Sequence, residues 1–167
     1  MALDESVRAG LEAELGVEHV EELGEISALA ITRYAAAVGE TNPLYTDAEY
    51  ARSQEYADIV APPNFIAAVI NWSPGAPYDR LREDGTEADS HLPGVPGKGV
   101  RVMGGGEEMS FEAPVVAGTI VARTTTLVEV SDRDSSQGLM LVARYRDVYR
   151  DAAGAQLLHS VRTVLLR

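Results

Sequence analysis

VRVMGGGEEMSFEAPVVAGTIVARTTTLVEVSDRDSSQGLMLVARYRDVYRDAAGAQLLHSVRTVLLR, residues 100–167, reads as four strands and three turns. The strand-like runs are 100–114, 119–131, 139–150 and 155–167, all rich in Val, Thr and Tyr. Such side chains suit a pleated, half-buried surface. PVVAG, SDRDSSQG and DAAG separate the runs, and each ends in glycine. Connections this short join antiparallel neighbours, so the expectation is an antiparallel meander. Its strands exceed the usual length of about six residues, which predicts a long, strongly curved sheet. GGG at 104–106 lacks the Lys-Ser/Thr of a phosphate loop and lies inside a strand pattern. It marks a bulge or a close backbone approach to a ligand, making Gly104 and Gly105 candidate binding residues.

Upstream, the period changes to that of helices. IVAPPNFIAAVINW (59–72) places two prolines before about nine apolar, helix-compatible residues. Proline at a first turn forfeits no amide partner, so a helix is predicted over 64–72, apolar almost all round. A helix of that kind belongs inside a wrapped sheet or at an interface. The predicted class is therefore α+β: a long curved antiparallel sheet wrapped around a central apolar helix, its free edge pairing with a second subunit. Ser27 is a good N-cap for a helix over Ala28–Val38 that stops at Gly39 and is expected to be mostly buried. A turn follows at Asn42 and Pro43, then a short helix from Thr46 or Asp47. Residues 4–14 read as an amphipathic helix within an N-terminal helical arm, 1–24, and 73–99 as a long loop excursion rich in Gly, Pro and charge. One domain spanning 1–167 is expected.

Composition removes several classes of function. Cysteine is absent, which closes disulfide, thiolate-metal and thiol-nucleophile chemistry. The net charge of −12, from 26 acidic and 14 basic residues, argues against nucleic acid as a partner. A coenzyme A thioester needs only a local basic cluster, for which Arg33, Lys98, Arg101 and Arg123 are candidates; scattered solubilising charge is the plainer reading of each. No window nears the roughly 18 apolar residues of a membrane span. MALDESVRAGLEAELGVEHVEELGE has the character of neither a signal nor a transit peptide, so the expected location is cytoplasmic. His19, His91 and His159 do not fall at ligand spacing, and no metal is expected. His159, mid-strand in LLHSV, reads as a satisfied half-buried histidine rather than a general base. GxSxG is missing.

The densest polar cluster is GETNPLY, 39–45. Glu40 and Tyr45 could exchange a proton there, or Glu40 and Asn42 could simply cap the reversal while Tyr45 packs. Here AVGETNPLYTDAEYARSQEYADIVAPPNF (37–65) resembles the signature region of the MaoC-like (R)-specific enoyl-thioester hydratases, fatty-acid-synthase-like dehydratase N-terminal type. RVMGGGEEMSFEAPVVAGTIVARTTTL (101–127) resembles that family's strand, proline turn and following strand, and 151–167 its closing hairpin. The likeness covers most of 27–167. It implies a hot-dog fold and a coenzyme A or acyl-carrier thioester, as substrate rather than cofactor, at a dimer interface.

Where the family carries its catalytic Asp and His, this chain has Glu40 and Tyr45. Glutamate is one methylene longer, and tyrosine activates water poorly at neutral pH. Where the family has His-Gly at the head of its central helix, Pro62 and Pro63 stand here, and proline has no N–H for a thioester carbonyl. The resemblance thus implies an acyl-thioester-binding, non-catalytic subunit of an enoyl-CoA or enoyl-ACP hydratase or 3-hydroxyacyl dehydratase, partnered by an intact MaoC-like subunit. No fused second domain is expected after Arg167. Asn42, Pro62, Pro63, Asn64, Phe65, Val69 and Trp72 are the expected substrate-binding residues beside the two glycines. The alternatives are a self-sufficient hydratase or thioesterase using Glu40 as base, and a non-catalytic ligand-binding homodimer.

Overall fold

The computed structural model describes residues 5–68, 76–83, 85, 92–97, 99–135 and 138–167. Its helices are α1 Glu5–Ala13, α2 Ala28–Val38, α3 Ala48–Ser53 and α4 Phe65–Ala68. Its strands are β1 Glu18–Glu25, β2 Val102–Phe111, β3 Ile120–Ser135, β4 Gly138–Asp151 and β5 Gln156–Leu166. Val69, Trp72, His91 and Lys98 fall outside the described residues, as does the end of the helix predicted over 64–72.

The five strands form one antiparallel sheet in the order β1-β3-β4-β5-β2. Three of them, β3 to β5, run as the predicted meander. The fourth does not: β2 pairs with β5, and β3 pairs with β1 and β4. PVVAG is no hairpin, because its polar groups go elsewhere. Ala61 N–H donates to Val115 O at 2.7 Å, Ala117 N–H to Ile59 O at 3.0 Å and Gly118 N–H to Ile26 O at 2.8 Å. Those bonds hold the chain as it crosses from one side of the sheet to the other. The glycine run is a bulge, with the register shifting between Gly104 and Gly106. A Cβ on Gly105 would come within 2.8 Å of Thr163 Cγ2, so the bare backbone is needed for β2 to lie against β5.

The N-terminal arm needs correcting. Its helix ends at Ala13, and residues Glu18–Glu25 are an edge strand rather than helix. Val7 and Leu11 bury the inner stripe of α1 against β3, and Gly10 meets Gly94 so closely that a Cβ on Gly94 would lie 2.9 Å from Gly10 O. α2 has the predicted bounds: Ser27 Oγ accepts from Ala30 N–H, and Gly39 closes the helix with φ of 75°. Only Ile31 and Ala35 of α2 are buried, and Leu29 and Val38 are exposed, so it packs by one stripe. Asn42 caps a 3₁₀ turn, Pro43–Tyr45, by accepting from Leu44 N–H. Asp47 caps α3 in the same way. Each cap contributes about 1 kcal/mol.

Two apolar clusters sit on the inner face of the sheet. The first joins Ile31, Phe65, Ile66, Val121, Tyr149 and Leu158; the second joins Val7, Leu11, Val95, Leu141, Tyr145 and Leu166. Described parts of the 73–99 excursion seal the second cluster. Val95 is buried there, and Tyr145 Oη donates to Pro93 O at 2.7 Å. Among the described residues no helix is long and apolar enough to cross a membrane, and no group of three or more His, Asp or Glu could hold a metal.

Candidate functional site

A cleft of 370 Å³ opens where the 3₁₀ turn, the head of α4 and the end of β2 converge. Its walls are apolar, among them Leu44, Val60, Ile66 and Leu158, and three side chains bring polar atoms to it: Tyr45, Tyr56 and Glu112. Local sequence explains the arrangement. The Asn42 cap and Pro43 turn the chain back after α2 and present Tyr45. Val60 N–H then donates to Leu44 O at 2.9 Å, drawing the segment before α4 against that turn.

Pro62 and Pro63 line the cleft. Neither has an N–H to offer, the Phe65 N–H is spent on Pro62 O at 2.9 Å, and the first amide after the prolines is that of Asn64. Glu40 is not part of the wall. Its backbone N–H closes α2 on Ala35 O at 2.9 Å, and its side chain is exposed. Asn42 is occupied as a cap. Phe65 is buried in the first core, edge-on to Tyr34 with ring centroids 5.4 Å apart. Asn64 faces a different cavity, on the other side of α4. Gly104 and Gly105 lie on the exposed edge strand. Of the basic residues, Arg33 is on α2, Arg101 precedes β2, and Arg123 is on β3 with its Nη2 donating to Glu21 at 2.5 Å.

One pair was not anticipated. Glu112 Oε1 lies 2.6 Å from His159 Nδ1 and also accepts from Gln156 Nε2 at 3.0 Å. His159 is the satisfied, half-buried histidine predicted, but the partner that satisfies it is a carboxylate on the cleft. The two stand 47 residues apart in sequence, and no local spacing announces them. A carboxylate held by an imidazole and an amide is a proton acceptor of fixed direction. Tyr45 lines the same cleft.

The fold alone is now diagnostic. A five-stranded antiparallel sheet in this order, with a short apolar helix on its inner face, is the hot-dog fold of MaoC-like hydratases and dehydratases. The ChsH1–ChsH2 complex of Mycobacterium tuberculosis matches with a TM-score of 0.70 at 14% identity, over 96% of this chain and 90% of that one. The HadBC (3R)-hydroxyacyl-ACP dehydratase complex from the same organism matches at 0.65 and 15%, over 91% and 96%. R-hydratase PhaJ1 of Pseudomonas aeruginosa matches at 0.59 and 17%, over 90% and 80%. The chain belongs to the FAS1-like dehydratase domain region family, whose model matches residues 13–160. A UPF0336 protein of Streptomyces avermitilis is 27% identical over 143 residues, 86% of this chain and 85% of that protein. A UPF0336 protein of Parafrankia sp. is 30% identical over 115 residues, 69% and 67% respectively.

Proposed function

We propose that this protein is the acyl-thioester-binding, non-catalytic subunit of a cytoplasmic enoyl-thioester hydratase or 3-hydroxyacyl dehydratase, working beside an intact MaoC-like subunit. The observation that carries this is the composition of the cleft. It is apolar enough for an acyl chain, yet it holds Tyr45 without Glu40 and meets two prolines where a carbonyl would seek an amide. An oxyanion donor of that kind is worth roughly 3 kcal/mol where it has been removed by mutation. A site without it binds a thioester better than it turns one over. Hydration adds water across the C=C bond, its oxygen to Cβ and a proton to Cα with no net redox change, so no resident cofactor is invoked.

The edge strand β2 supports a heteromeric partner over a second copy. Glu107 and Glu108 occupy its middle. Pairing β2 with itself about a two-fold axis brings these carboxylates close to their own copies, which is destabilising. An edge with Lys or Arg at its centre meets no such opposition. Two of the matching structures are themselves complexes of two different chains, ChsH1–ChsH2 and HadBC.

The test is hydration of crotonyl-CoA and of a longer enoyl-CoA, with thioester binding followed by calorimetry. The expected result is binding without turnover by the protein alone, and turnover once an intact MaoC-like chain is added. Turnover by the protein alone would overturn the reading. The self-sufficient alternative is favoured by Glu112, the carboxylate that does reach the cleft. In that case Glu112→Gln, rather than Glu40→Gln, abolishes the rate.

A further inference from the structure

The outward face of the sheet carries a charge pattern that the fold itself does not use. Strand alternation fixes which side chains stand there. Tyr145, Asp147 and Tyr149 of β4 are buried on the inner face, so Arg146, Val148 and Arg150 turn outward. Val121, Thr125 and Leu127 of β3 are buried inward, which leaves Ala122, Thr124 and Thr126 outside. On β1, Leu23 joins the first core and Glu21 meets Arg123 across the inner face, so Glu18, Val20 and Glu22 point out.

The registers set these residues in three rows. Glu18 pairs with Thr126 and Thr126 with Arg146; Val20 pairs with Thr124 and Thr124 with Val148; Glu22 pairs with Ala122 and Ala122 with Arg150. The first and third rows therefore run from a carboxylate, past a small side chain, to a guanidinium. Among the described residues, Glu18, Glu22, Arg146 and Arg150 take part in no ion pair. Val20, between the two carboxylates, is 70% exposed.

Such rows are complementary to themselves when turned over. A two-fold axis along β3, in the plane between two facing sheets, carries β1 of one copy over β4 of the other and keeps every row at its own level. Glu18 then faces Arg146 of the second copy, Glu22 faces Arg150, and Val20 lands over Val148 between the apolar stems of the two arginines. Every contact occurs twice, so four carboxylates meet four guanidiniums. The usual tilt of about 30° between aligned sheets displaces each pair by roughly 3 Å, within reach of these long side chains. Ala122, Thr124 and Thr126 lie on the axis and are small enough to let the sheets approach. Other axes fit less well. Along β4 the arginines oppose their own copies, which repels. Along β5, Arg146 faces Glu108 while Arg144 faces Gly106 and Val148 faces Ser110, one charge pair per copy in place of two.

We propose that the outward face of β1, β3 and β4 is an isologous interface covered by a second copy of this chain. The β2 edge lies at the far side of the sheet and stays open in that dimer. The heteromeric partner proposed above is thus still accommodated, and two copies back to back form the centre of a four-chain assembly.

Sedimentation of the full chain gives the oligomeric state, and a single introduced thiol locates the interface, since the chain has no cysteine of its own. Stacked sheets lie about 10 Å apart, too far for a disulfide, so the thiols are bridged with a short bis-maleimide. Thr124→Cys, on the axis, should cross-link to its own copy. Val161→Cys, on β5 and roughly 20 Å from its copy, should not. Arg146→Glu combined with Arg150→Glu should weaken the dimer roughly a hundredfold, four attractive pairs having become repulsive, and adding Glu18→Arg with Glu22→Arg should restore it. Circular dichroism checks the fold of each variant, and if a charge variant does not fold the cross-linking contrast decides by itself. A chain that stays monomeric at high micromolar concentration, a dimer that cross-links through Val161→Cys instead, or a dimer indifferent to the charge reversal would each overturn the proposal.

Discussion

Removing the Asp147 carboxylate should unfold this protein more readily than any other single polar change on the inner face of the sheet. Asp147 is 1% exposed and receives three donors: Thr125 Oγ1 at 2.5 Å, and Arg162 Nε and Nη2 at 3.0 and 2.9 Å. In Asp147→Ala the Thr125 hydroxyl, itself buried, loses its acceptor, at a cost of about 1–3 kcal/mol. The Arg162 guanidinium keeps some access to water, being 25% exposed, so its loss falls below the 3–5 kcal/mol typical of a broken buried pair, at roughly 2 kcal/mol. Together these give about 4 kcal/mol. With a urea m-value of about 2 kcal/mol/M, the midpoint should fall by about 2 M. Asp147→Asn keeps an acceptor for Thr125 and loses only the charge, so it should cost about half as much. Urea melts followed by circular dichroism at several protein concentrations check this and separate folding from association. A loss below about 1 kcal/mol, equal in both variants, would show that water replaces the carboxylate and would refute the role given to Asp147.

Tyr145→Phe should cost about 1 kcal/mol and speed hydrogen exchange at the Val95 amide, because the Pro93 carbonyl loses its donor; unchanged exchange would detach 92–97 from the second core. Gly94→Ala should displace α1 and lower stability by about 1–3 kcal/mol in a thermal melt, since the new Cβ meets Gly10 O and Leu11 Cα at 2.9 Å and φ there is 76°. Burial holds the pKa values of both Tyr145 and Tyr149 above the ordinary tyrosine value. Below about pH 10 both states are neutral and stability is full; above it the unfolded chain ionises first, so stability should fall with rising pH, as urea midpoints on either side of pH 10 will test.

The elements that the sequence announced are those carrying their own punctuation. α2 lies between Ser27 and Gly39, α3 begins at Asp47, and β3 to β5 are marked by their β-branched runs and the glycines that end the turns between them. β1 has no such mark: EHVEELGE is half acidic, buries only Leu23 and kinks at Gly24, so as an edge strand it needs β3 to exist at all. The crossing of β2 over to β5 was equally hidden. It is enforced by residues 26 and 59–61 gripping 115–119, bonds between segments distant in sequence. The same holds for the cleft. Tyr45, Pro62 and Pro63 were readable because one short motif carries each, whereas Glu112 enters only once β2 lies against β5 and brings it to His159.

The seam of charged and hydroxylic side chains that parts the two apolar clusters bears on how the molecule comes apart. Water that reaches Asp147 and Arg162 parts the side chains of one apolar cluster from those of the other, while the β3–β4–β5 ladders still join them. Cooperativity between the two halves thus rests on the β3, β4 and β5 ladders, which run through both, and on the side-chain hydrogen bonds at the waist.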